Sequence, residues 1–322
     1  MSARTVFMFS GQGSQFFQMG KQLFDSNAQF RRWMIRLDEL AQEIAGSRVI
    51  DAIYSSSRAE VFDQTRLTHP AIFMVEYSLA QCLMHEGVQP DLTLGTSLGS
   101  FAAAAVAGYL EVRDALAAVL EQAAAFEASC ERGGMIGVLA DPALYHEDFL
   151  CKYSELAGVN FAGHFGVSAP QANLDAIEST LKQRDLTHQR LAVSFAFHSR
   201  WIDSAQQRFS SFMRSVPRGK GNLPLVCCER AATLTELPED FYWRVVRHPI
   251  RFREAVAHLE QRGRHRYIDV GPSGTLATFV KYGLPKTSES TAHTILTPYG
   301  QDLKNLQALL LACRSPAQFA EL

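Results

Sequence analysis

With 31 basic against 33 acidic side chains, the 322-residue sequence is close to charge balance, which excludes a charge-driven nucleic-acid binder or an acidic tail. Apolar residues make up 47% and charged residues 20%, as in an ordinary globular protein, and the length suits one large domain or two moderate ones. No apolar run reaches the ~18 residues of a membrane span, nothing at the start reads as a signal peptide, and the six cysteines show no C-x-x-C pair or zinc-finger spacing. The expectation is a cytoplasmic protein with reduced thiols and no metal site.

In chain order, Thr5 to Phe9 reads as a fully buried strand, followed by the polar turn Ser10-Gly11-Gln12-Gly13-Ser14-Gln15. Helical spacing covers Lys21 to Leu40 and Ala71 to His85. A short strand, Asp91 to Leu94, leads into Gly95-Thr96-Ser97-Leu98-Gly99 and then an Ala-rich helix, Phe101 to Ala107. The helical stretch Glu111 to Glu131 ends at Gly133-Gly134. Alternating strands and helices predict a parallel sheet covered on both faces.

The next segment changes character. β-like runs at Met135 to Leu139, Gly158 to Phe161, His164 to Ser168 and Gln189 to Val193 surround helical stretches at Leu144 to Leu156 and Gln171 to Arg184. This predicts a compact α+β unit over 133–194, inserted between the two parts of a larger domain, 1–132 and 195–322. The α/β pattern resumes with Ser199 to Val216, a strand at Leu223 to Cys228, Phe252 to Gln261, and a strand at Arg266 to Val270 closed by Gly271-Pro272-Ser273-Gly274. Pro285 to Thr291 reads as a polar loop.

Gly95-Thr96-Ser97-Leu98-Gly99 is a G-x-S-x-G sequence in the strand–turn–helix setting that a nucleophile elbow requires. Ser97 is therefore the candidate nucleophile, placed at a helix N-terminus where free N–H groups can stabilise an oxyanion. A serine needs a base. Among ten histidines, His198 in Phe195-Ala196-Phe197-His198-Ser199 lies in a loop between a strand and a helix. Either a carboxylate, with Asp269 as the candidate, or a backbone carbonyl can orient it. Gly11-Gln12-Gly13 fails as a dinucleotide fingerprint, because Phe16 stands where a third glycine is needed. The same turn suits an oxyanion loop that presents the Gln12 N–H.

Taken together, these motifs resemble the malonyl-CoA:acyl-carrier-protein acyltransferase family. The likeness is carried by Phe9-Ser10-Gly11-Gln12-Gly13-Ser14-Gln15, Leu67-Thr68-His69-Pro70-Ala71, the Ser97 elbow, Val159-Asn160, Phe195-Ala196-Phe197-His198-Ser199 and Val270-Gly271-Pro272-Ser273-Gly274, in the family's order across nearly the whole chain. The resemblance implies an α/β-hydrolase-like large subdomain with an inserted ferredoxin-like small one. It implies Ser97 as nucleophile, His198 as base, the Gln12 and Leu98 N–H groups as oxyanion hole, and a backbone carbonyl at about Val245, in place of Asp269, orienting His198.

Departures from the family pattern point to specificity. Thr96 replaces the histidine before the nucleophile, His69 replaces the glutamine of a T-Q-P motif, and Phe195 replaces the histidine of malonyl-specific polyketide enzymes. Gln122 stands where the family places the arginine that grips the malonyl carboxylate, and an amide cannot replace a bidentate guanidinium. With Asn160, these residues define the expected acyl pocket, neutral and larger than a malonyl site. The pattern is similar to free-standing acyl hydrolases of polyketide systems with trans-acting acyltransferases. The expected substrate is a neutral acyl group on the phosphopantetheine of an acyl carrier protein, with no bound cofactor, in a monomer. The alternative is transfer, in trans, of a malonyl or short neutral acyl group from coenzyme A to the carrier. A non-catalytic carrier-binding module is disfavoured by the presence together of Ser97, His198, Gln12 and Asn160.

Overall fold

A computed structural model of the protein describes residues 3–313. Its strands are β1 (Arg4–Phe9), β2 (Leu92–Gly95), β3 (Gly133–Val138), β4 (Glu155–Phe161) and β5 (His164–Pro170). They continue with β6 (His188–Arg190), β7 (Leu225–Cys227), β8 (Ala232–Leu234), β9 (His265–Asp269) and β10 (Thr291–Thr294). The larger sheet has the order β10-β9-β1-β2-β7-β8 and is parallel except for β8, which runs antiparallel to β7.

β1 is apolar at every second residue on both sides because both faces of this sheet are covered. Phe7 and Phe9 join the core beneath the helices of the first half of the chain, whereas Val6 and Met8 pack on the opposite face with Phe252, Val256 and Leu276. β1 pairs with β2 in the register Phe9↔Gly95 and with β9 in the register Met8↔Asp269. The carboxyl ends of three central strands thus converge where the elbow and two glycine-rich turns begin, the usual location for a site in a parallel sheet.

The smaller sheet is antiparallel, in the order β4-β5-β3-β6, and carries the helix Gln171–Gln183 between β5 and β6. Short helical turns, Pro142–His146 and Asp148–Cys151, link β3 to β4. The succession strand–helix–strand–strand–helix–strand with this order is the ferredoxin-like arrangement.

Several predicted elements shift. The helix expected over Lys21 to Leu40 breaks at Asn27, whose side chain accepts the Phe30 N–H at 2.9 Å and caps a second helix, Ala28–Ala45. The helix expected over Leu144 to Leu156 is split between the two short helical segments, and β4 begins inside it, because Leu156 pairs with Val167 in the sheet. β6 is only three residues long. The polar loop ends in β10, which pairs with β9 in the register Thr291↔Arg266. None of the described helices is long and apolar enough to cross a membrane, and no group of three metal-ligating side chains occurs among the described residues.

Candidate active site

Ser97 leaves β2 with φ 53°, in the left-handed region that few residues other than glycine adopt. Such a conformation costs about 1–3 kcal/mol and survives only where its surroundings enforce it. Here, the Thr96 N–H and hydroxyl both donate to the Phe9 carbonyl, at 2.9 and 3.2 Å, and fasten the elbow to β1. The next turn is pressed against β1 so closely that a Cβ on Gly99 would sit 2.3 Å from the Phe9 oxygen and 2.4 Å from the Ser10 oxygen. Thr96, expected to line the acyl pocket, spends its hydroxyl on this anchor.

His198 is the second strained residue, with φ 61°. Its N–H donates to the Val246 carbonyl at 3.0 Å, which positions the ring over the elbow. Nε2 lies 2.9 Å from Ser97 Oγ, and Nδ1 lies 2.7 Å from the His248 carbonyl. A carbonyl only accepts, so Nδ1 carries the proton and Nε2 presents a lone pair to the serine. Burial pulls His198 down to about 4, against the His248 carbonyl, which favours the charged form. The ring is neutral near pH 7 and ready to accept a proton.

The orienting carbonyl therefore belongs to His248 and not to Val245. Val245 is inside the helix Phe241–Arg247, whose carbonyls run along the helix axis. His248 follows that helix and precedes Pro249, which forces it into extended geometry (φ −93°, ψ 158°) and turns its carbonyl out. The His248-Pro249 pair was the sequence signal for this role. Asp269 does not orient the histidine: its carboxylate accepts the Gly271 and Ala277 N–H groups, each at 2.9 Å.

Gly11 brings the second loop onto the elbow, where a Cβ at this residue would meet Ser97 Cβ at 2.8 Å. Among the described residues, neither the Gln12 nor the Leu98 N–H donates to a protein acceptor. Both flank Ser97, in sequence or across this contact, as an oxyanion hole requires.

Behind the loop lies a residue without a sequence signal. The fully buried Glu76, on the helix Thr65–His85, accepts the Ser10 N–H at 2.6 Å and the Ser10 hydroxyl at 2.8 Å. It fixes the residue that precedes Gly11. Burial pushes the Glu76 carboxyl well above its ordinary range, with the neighbouring Asp269 acting in the same direction.

The pocket residues fall into two groups. Gln12 Nε2 donates to Thr68 Oγ1 at 3.0 Å and to His69 Nδ1, and burial pushes His69 down to about 3, with Gln122 beside it acting the other way. Phe126 packs its ring 6.0 Å from His69, 6.1 Å from Phe195 and 5.2 Å from Phe197. His69, Gln122, Phe195 and the Gln12 side chain thus form one buried cluster. Asn160 stands apart on β4, donating to His164 Nδ1 at 2.9 Å, next to the Val159 N–H that bonds the Ile250 carbonyl.

The sequence matches the family described as the acyl transferase domain over residues 6–318. It is 42% identical to the polyketide biosynthesis acyltransferase homolog BaeD of Bacillus velezensis, covering 98% of each chain. It is 41% identical to the homolog PksD of Bacillus subtilis, covering 96% of each chain. Among solved structures, the acyltransferase domain from the second module of the salinomycin polyketide synthase superposes with a TM-score of 0.85 at 27% identity, over 97% of this chain and 73% of that one. MCAT from Streptococcus pneumoniae gives a TM-score of 0.78 at 27% identity, over 96% of this chain and all (100%) of that one. The folded core, the elbow and the whole length of the match agree, and the chain belongs to the acyl transferase domain family.

Proposed function

We propose that this acyltransferase-family protein is an acyl hydrolase of polyketide biosynthesis, which removes uncharged acyl groups from the phosphopantetheine arm of an acyl carrier protein. Ser97 Oγ attacks the thioester carbonyl while His198 Nε2 takes its proton. The tetrahedral oxyanion is held by the Gln12 and Leu98 N–H groups, each worth about 3 kcal/mol in such sites. The C–S bond breaks and the thiol leaves with the proton from His198. Water, deprotonated by the same nitrogen, attacks the Ser97 ester, and the free acid departs as Oγ regains its proton.

The observation that carries the acyl-group reading is the fully buried Gln122 amide beside a neutral His69. A carboxylate placed against Gln122 would face an uncharged amide and a neutral imidazole, and an unpaired buried charge costs several kcal/mol. The full-length similarity to free-standing homologs named for polyketide biosynthesis supports the pathway. Transfer of a neutral acyl group to a carrier thiol uses the same residues with a different acceptor.

The deciding experiment is intact-mass spectrometry of acetyl- and malonyl-loaded carrier proteins incubated with the protein. The expected result is free carrier from the acetyl form and persistence of the malonyl form. Malonyl moving from coenzyme A onto empty carrier would overturn the proposal in favour of an extender-unit acyltransferase.

The pH profile tests the base. Because burial lowers His198 from 6.5 to about 4, the imidazole stays neutral as pH falls through the ordinary histidine range. The expected kcat/KM is flat from neutral pH down to about 5 and falls below that, since this ratio reports the free enzyme's base. A midpoint near 6.5 would show that His198 is solvated in the working enzyme.

A further inference from the structure

Gln122 lies on the helix Val112–Ser129 with none of its surface exposed; its side chain is close enough to His69 to favour the charged ring, but neither Oε1 nor Nε2 makes a hydrogen bond of good geometry. A buried donor or acceptor left unmet destabilises the fold, and folded proteins rarely keep such groups without a use. Its surroundings narrow that use. His69 beside it is neutral, and the Nδ1 of that ring is taken by Gln12. Phe126, one helical turn beyond Gln122, carries the ring cluster with Phe195 and Phe197. An apolar wall with one unmet amide is built for a ligand that is mostly hydrocarbon and carries one uncharged polar atom.

We propose that the acyl chain taken by this site bears a keto or hydroxyl oxygen on the carbon β to the thioester carbonyl, and that the Gln122 amide reads it. This deepens the acyl hydrolase reading and rests on it. An amide offers both a donor and an acceptor, so Nε2–H can donate to a keto oxygen and Oε1 can accept from a hydroxyl. Gln122 and the Gln12 side chain both lie against His69, and Gln12 is the residue whose N–H is assigned to the reacting carbonyl. Thioester condensation leaves an oxygen on the β carbon of each newly extended chain, so this is the oxygen that a polyketide intermediate presents two carbons from the carbonyl.

The test compares carrier protein loaded with butyryl, 3-hydroxybutyryl and 3-oxobutyryl groups, with acetyl carrier as reference, in the wild-type protein and Gln122→Leu. A site that hydrogen-bonds a substrate oxygen discriminates against the analogue that lacks it. For the wild type, kcat/KM for at least one oxygenated chain is expected to exceed that for butyryl about tenfold or more. In Gln122→Leu the ratio is expected to fall to about one, and because it is a ratio within one preparation, partial misfolding cancels. Gln122→Met serves if the leucine variant does not fold. Butyryl cleaved as fast as both oxygenated chains by the wild type, or a ratio that survives loss of the amide, overturns the inference, with water left as the partner of Gln122. If acetyl carrier is cleaved and none of the three longer chains is, the inference falls and the hydrolase reading stands. If acetyl also persists, both fall.

Discussion

Replacing Ser97 by alanine is expected to reduce thioester turnover by about 10⁴-fold or more, the scale found when a nucleophile is removed from a serine enzyme. The geometry assigns the whole covalent step to this atom: Oγ is 2.9 Å from a neutral imidazole nitrogen, and the elbow that holds it is strained. The loss should appear in kcat, because the pocket that binds the acyl chain is untouched. Removing His198 by alanine is expected to cost a comparable amount, and the double variant no more than the worse single one, since the two act as a unit. Intact-mass spectra should show an acylated wild-type protein and no acylated Ser97→Ala. Unchanged turnover in Ser97→Ala would refute the nucleophile assignment outright.

Gly11→Ala is expected to have the largest effect after loss of Ser97 or His198, for a purely steric reason. The new Cβ would lie 2.8 Å from Ser97 Cβ, 3.1 Å from the Thr96 oxygen and 3.4 Å from Ser97 Oγ. Something must move, and the loop carrying the Gln12 N–H is what lies opposite the elbow. Displacing an oxyanion donor, or misplacing a reacting group by about 1 Å, costs about 10²–10³ in kcat. Gly11 has no positive φ, so alanine fits its backbone and the fold should persist. The measurement is kcat and KM beside circular dichroism. A low kcat with near-normal KM and a native spectrum is expected; full kcat would remove the loop from the mechanism. Gly99→Ala is the contrast, because its Cβ would strike the backbone oxygens of Phe9 and Ser10, and the end of β1 itself would have to shift.

Where the sequence was legible, the information was local. The elbow, the glycine turn after β1 and the loop holding His198 each follow from a few adjacent residues whose backbone demands are specific. The inserted sheet was visible in outline, but the start of β4 was not, because Leu156 commits to a strand only through its pairing with Val167. The His248 carbonyl was displaced from the expected Val245 by a rule that is itself local, the effect of Pro249 on the residue before it. Glu76 was out of reach for another reason. Its partner Ser10 is 66 residues away, and inside a helix whose residues are nearly all buried a single acid gives no periodic signal. Thr96 had a second role that its position beside the nucleophile did not signal, since its hydroxyl ties the elbow to Phe9.

The buried ionisable groups around the site also set the proton balance of unfolding. His69 and His198 are held neutral, at about 3 and about 4, so each takes up a proton on unfolding once pH falls below the ordinary histidine value of 6.5. Burial has the reverse effect on Glu76 and Asp269: it raises Asp269 to about 6 and Glu76 well above 4.5, so each releases a proton on unfolding while pH lies between its ordinary and its buried value. The histidines lose stability as pH falls and the acids lose it as pH rises. Between about 4 and about 6 the histidines and the acids therefore pull the pH dependence of stability in opposite directions. Above 6.5 both histidines are neutral folded and unfolded, and any dependence these groups retain comes from the acids, so rising pH works against burial of the carboxyl behind the oxyanion loop.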